Sequence, residues 1–81
     1  MADKTRTFAE ISLEISKTWS KPCFGAIPYI KAMRQINSSD KFAPYGVEDA
    51  ETIARYFLAN AVTWMGEDAR RIKAELKSMI K

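Results

Sequence analysis

Four basic side chains close to the C-terminus, Arg70, Lys73, Lys77 and Lys81, recur at steps of three, four and four. On a helix they line one side, a quarter to a third of a turn from an apolar stripe at Ile72 and Leu76. Arg71 stands beside the first of them. Such an array suits phosphates or a carboxylate-rich protein surface. It equally suits a plain solvated face, with Arg70 and Lys73 partly answered by Glu67 and the lysines favoured near a helix C-terminus by the helix dipole. A second candidate lies in 37–46, a segment rich in turn-forming residues, where Phe42 and Tyr45 flank Pro44. Aromatic residues in a loop either dock back onto the core or form a contact site, and in a chain this small docking is the expectation.

Chemistry of the catalytic kind finds little to work with. The chain has no histidine to shuttle protons or ligate a metal, and its one cysteine, Cys23, lacks an imidazole that would activate it. Gly25, Gly46 and Gly66 are isolated, so no phosphate-cradling glycine loop exists. The carboxylate pairs Glu48 with Glu51 and Glu67 with Asp68 have a simpler role near helix starts. The expectation is a protein that is not an enzyme and has no catalytic residues, metal site or cofactor.

The elements that would position these residues follow from periodicity. Val47, Ala50, Ile53, Ala54, Phe57, Leu58, Ala61 and Trp64 share one helical face, which predicts about five turns from Val47 to Trp64. Gly66 then suits a residue leaving the helix, because glycine accepts positive φ. Past it, Ala69, Ile72, Leu76, Met79 and Ile80 form another stripe, and the two stripes bury each other only if the chain turns near Gly66. A single unbroken helix through this glycine is the rival reading.

Upstream, Thr7 and Glu10 have the spacing of a capping box, so a first helix starts there with Phe8, Ile11, Ile15 and Trp19 on its apolar side. Leu13 lies opposite, as a lone exposed leucine or the edge of a contact surface. Pro22 ends this helix, and Pro28 sits in the first turn of a second, with Ile30, Met33 and Ile36 inward and Lys31 and Arg34 outward. The fold class expected is therefore all-α, a compact bundle of about four helices whose last two form an antiparallel hairpin. Residues 1–81 are read as one helical domain, with 1–6 flexible.

Eighty-one residues bearing a net charge of +3 are too few and too mildly basic to establish nucleic-acid binding on charge alone. The distribution is uneven: seven basic and four acidic groups in 1–41, one and three in 42–66, five and three in 67–81. The lone cysteine excludes an internal disulfide and favours a reducing, cytoplasmic setting, and no apolar run is long enough for a membrane span.

Three segments carry a resemblance: Phe24-Gly25-Ala26-Ile27-Pro28-Tyr29, Tyr56-Phe57-Leu58-Ala59-Asn60-Ala61, and 63–73 from Thr63-Trp64-Met65-Gly66 to Arg70-Arg71-Ile72-Lys73. Together they resemble a family of small, mostly uncharacterised accessory proteins from phages, prophages and mobile elements of Gram-positive bacteria. The resemblance implies an origin and a bacterial host cytoplasm, with no family residues to carry over. It implies a protein that binds and inhibits or regulates a host protein, a defence factor in the most specific version, as anti-CRISPR proteins do. Arg70, Arg71, Lys73, Lys77, Phe42 and Tyr45 are the expected contacts. A DNA- or RNA-binding regulator with a basic last helix is the first alternative, and a structural homo-oligomer the second.

Overall fold

The computed structural model describes residues 5–81. In chain order it contains α1 (Phe8–Thr18), α2 (Ile27–Arg34), β1 (Pro44–Tyr45), β2 (Glu48–Asp49), α3 (Ala50–Asn60) and α4 (Glu67–Met79). Of the residues expected to be flexible, 1–4 lie outside the described ones. Arg6 forms ion pairs with Glu14 and Glu75.

Helix α1 begins where its capping box places it. The Glu10 amide donates to the Thr7 hydroxyl at 3.1 Å and the Glu10 carboxylate accepts from the Thr7 amide at 2.8 Å. Two further first-turn amides would be orphaned at a helix start. Phe8 and Ala9 instead donate to the Ser38 and Ile36 carbonyls, both at 2.9 Å. The chain leaving α2 thus closes the start of α1.

Phe8, Ile11 and Ile15 are fully buried against Ile30, Met33, Ile36, Ile53, Phe57, Ile72 and Leu76 in one apolar cluster. Inside the α1–α2 contact, the buried Ser12 hydroxyl donates to the Ile30 carbonyl at 2.6 Å and accepts from Arg34 Nε at 3.3 Å. Arg34 also bonds Ser16 while staying exposed, as Lys31 does, so it faces outward as expected and lies along the surface of α1. Its planar fork finds several acceptors on α1 that a lysine could not reach together.

Before α3 the sequence expectation fails in an instructive way. Val47 is not the start of a long helix but the fully exposed tip (101%) of a two-stranded antiparallel ribbon, with Pro44 opposite Asp49 and Tyr45 opposite Glu48. Gly46 has φ 63° while Val47 stays at negative φ, the sign pattern of a two-residue type II′ hairpin turn. Asp49, in extended geometry, is the cap: it accepts from the Thr52 amide at 2.9 Å and from the Thr52 hydroxyl at 2.8 Å. Among the described residues the fold is accordingly four helices and a small ribbon.

Helix α3 stops at Asn60, earlier than the stripe suggested, and 61–66 form a non-helical link. The chain does break before α4, which excludes the unbroken rod: Gly66 adopts φ 110° and caps α4. Ala61 and Trp64 stay buried although they are no longer helical. Trp64 stacks on Trp19 with ring centres 5.0 Å apart, and both meet Phe57 edge-on.

The last two helices meet, although theirs is not the closest packing in the fold. The C-terminal end of α4 does return to α3, since the Ile80 carbonyl lies 3.5 Å from Arg55. The tightest backbone packing, however, joins α1 to α2 and α2 to α3, and α4 approaches α1 more closely than α3. A six-residue link leaves α4 free to cross to α1, where ion pairs receive it.

Candidate functional site

The basic stripe of α4 divides among different tasks. Arg71 forms ion pairs with Glu14 at 2.6 Å and Asp68 at 3.1 Å, while Arg6 pairs with Glu14 at 2.6 Å and Glu75 at 2.5 Å. These contacts stitch α4 to α1. Hydrogen bonds first from Arg71 and then from Arg6 hold the Glu14 carboxyl at about 2, well below its ordinary value. Hydrogen bonds raise both arginines above an already high range, Arg6 through Glu75 first and then Glu14, Arg71 through Glu14 and then Asp68.

Lys73 folds back and donates to the Trp64 carbonyl at 2.7 Å. Burial, then the charge of Lys77, push its pKa down. Two of the expected contact residues, Arg71 and Lys73, are therefore engaged within the molecule. The signal for the ion pairs was weak in sequence, because Glu14 and Arg71 are far apart along the chain and nothing in either helix marks the other.

Arg70 and Lys77 stay exposed and form no ion pair among the described residues. They stand at opposite ends of α4. Arg70 borders a hollow of about 460 Å³ lined by Val62, Trp64, Met65, Gly66, Ala69, Arg70 and Lys73. Lys77 borders a second hollow, of about 430 Å³, with Arg55, Leu58, Ile80 and Lys81.

The aromatic loop residues are also placed differently from expectation. Phe42 does not dock on the core: it is 66% exposed, and Tyr45 on β1 is exposed beside the turn. The reason is local. The Phe42 amide donates to Asp40 Oδ1 at 2.9 Å, the Ala43 amide to the Asp40 carbonyl at 3.0 Å, and the Ala50 amide to the Ala43 carbonyl at 2.8 Å. With the backbone so fixed, Ala43 is the side chain packed against the core, and its neighbour Phe42 is turned away. Lys41 Nζ lies 5.3 Å over the Phe42 ring and donates to the Lys81 carbonyl at 2.6 Å, tying the ribbon to the end of α4.

A further exposed apolar group went unread in the sequence. Phe24 is 92%, Met65 79% and Val62 69% exposed. Val62 and Met65 lie off the stripe that predicted the long helix, and no proline or glycine between Asn60 and Met65 marks the true end of that helix. Phe24 belongs to the same end, because Cys23 Sγ donates to the Asn60 carbonyl at 2.8 Å and a side chain at Gly25 would collide with Asn60. Leu13 is half exposed, alone on its face of α1 among charged neighbours.

Among the described residues there is no cluster of histidine, cysteine and carboxylate groups able to hold a metal, and no buried polar side-chain atom lacks a partner. No helix among them is long and apolar enough to cross a membrane. Compared with protein families, curated proteins and solved structures, the chain gives no match.

Proposed function

We propose that this chain is a non-enzymatic accessory protein of a phage or mobile element, acting in the bacterial cytoplasm by covering a surface on a host protein. A host defence factor is the specific form of that target, which would make the protein an inhibitor of the anti-CRISPR kind. The observation that carries the binding part is the exposed Phe42, backed by Tyr45 and Val47, on backbone already fixed by hydrogen bonds. With the backbone already ordered, burying the aromatic side chain in a partner costs only the freedom of the side chain itself. The origin rests on the resemblance of the segments around Phe24, Tyr56 and Trp64.

The nucleic-acid alternative is weaker on this geometry. With Lys73 engaged internally, the array of four cations is interrupted, and with Arg71 beside it also engaged, fewer phosphates are within reach. The test is affinity capture from lysate of a bacterial host, with and without nuclease, using the wild type and Phe42→Ala. The reading predicts a protein partner that survives nuclease and is lost with Phe42→Ala. Nuclease-sensitive recovery, or capture indifferent to Phe42, would contradict it.

A further inference from the structure

We infer that the hollow between the 61–66 link and the start of α4 is a second anchor point, accepting an apolar side chain from an acidic segment of the partner protein. The proposal rests on the protein-binding reading above and adds the chemistry of what is bound. The lining is apolar at Val62, Trp64, Met65 and Ala69, with Arg70 and Lys73 as its charged residues. Among the described residues, no carboxylate joins them in that lining. An anion entering here meets two cations, and neither is in an ion pair among the described residues.

The electrostatics of Lys73 favour the same occupant. Its ammonium is partly removed from water and stands near Lys77, and both conditions disfavour its charge. A carboxylate placed beside it restores the lost stabilisation. Its one acceptor among the described residues, the Trp64 carbonyl, leaves further donors on the ammonium.

The hydrophobic half of the site is equally specific. Met65 and Val62 stand largely in solvent on either side of Trp64, whose buried ring fixes the link. A methionine at such a rim adapts to apolar side chains of various shapes. A bare phosphate chain would leave Val62 and Met65 wet, so an acidic segment with apolar residues fits this lining better than a nucleic acid does.

The probe is a short fluorescent peptide in which Asp and Glu alternate with Leu and Phe, compared with the same peptide carrying Asn and Gln and with an oligo-dT strand. Binding is followed by anisotropy and by amide shifts of the ¹⁵N-labelled protein. The expected result is a cluster of shifts from Val62 to Lys73, and affinity about tenfold lower for the Asn/Gln peptide and for the Met65→Glu and Arg70→Glu variants. Lys31→Glu, the same charge change on α2, should leave affinity unaltered. Melting curves on each variant confirm folding, since Met65, Arg70 and Lys31 are exposed.

Absence of acidic-peptide binding, shifts centred on Phe42, equal affinity for the Asn/Gln peptide, or stronger binding of oligo-dT would each overturn the proposal. So would a doubled solution mass with the hollow protected. Lysate capture separates this failure from that of the parent reading. Capture lost with Phe42→Ala but retained by Met65→Glu and Arg70→Glu removes only the second anchor, whereas capture indifferent to all three removes both.

Discussion

The two ends of α3 make a chain reversal by different means. At its start, the ribbon is held by backbone: the Ala50 and Glu51 amides bond the Ala43 and Lys41 carbonyls, Asp49 caps the helix, and Gly46 supplies the positive φ. At its end, the link is held by side chains, with Trp64 stacked on Trp19 and set edge-on to Phe57. Both arrangements leave large apolar groups in water, Phe42 and Val47 at one end, Phe24, Val62 and Met65 at the other. The ribbon can lose its aromatic without unfolding. The link cannot lose its own, because there the aromatic is the anchor.

That contrast is sharpest in Trp64→Ala. Deleting a nearly buried indole should cost about 3–5 kcal/mol, a large share of what a domain of this size possesses. Denaturant melts would show it directly, and a loss near zero would mean that the link is held by something other than its stacked rings.

Gly46→Val addresses the other end. A β-branched residue forced to φ 63° in this turn should cost about 1–3 kcal/mol. The loss should appear as faster amide exchange at Ala50 and Glu51, with the link unaffected. Exchange rising equally at Trp64 would show that the two ends are not independent.

The smallest expected effect concerns the ion pairs that bring α4 to α1. Glu14 has a folded pKa of about 2 against an ordinary 4.5, so its contribution is complete above about 4.5 and disappears as pH falls through about 2. Asp49, lowered by its bonds from the Thr52 amide and then the Thr52 hydroxyl, loses stability in the same direction. Because Glu14 and its arginines are partly solvated, solvent screening keeps the contribution of these pairs small. Glu14→Gln should flatten that part of the acid stability profile, whereas an unchanged slope would assign the acid sensitivity elsewhere.

Local rules were legible where a few neighbouring residues decide the outcome. Thr7 and Glu10 announced α1, Pro28 sits in the first turn of α2, and Gly66 marked the break before α4. The core stripe through Ile53, Phe57 and Trp64 was also readable, because burial survives even where helical geometry does not. Val47 misled for a physical reason. It falls in register with Ala50 and Ala54, and a ribbon of two residues per strand is too short to display alternation.

The candidate site was less legible than the fold. Helical spacing placed Arg70, Arg71, Lys73 and Lys77 near one another but said nothing of the partners that claim Arg71 and Lys73 across other elements. Phe42 was expected to dock, yet the backbone turn at Asp40 decides its direction. Phe24 and Met65 became visible only once the end of α3 and the approach of Gly25 to Asn60 were known.

The central claim is that Phe42 serves binding and not folding. Phe42→Ala, measured in parallel by thermal melting and by nuclease-treated lysate capture, should leave stability within about 0.5 kcal/mol of wild type while removing the captured protein. A variant that melts several degrees lower, or one that captures the same protein as strongly as wild type, would contradict the account.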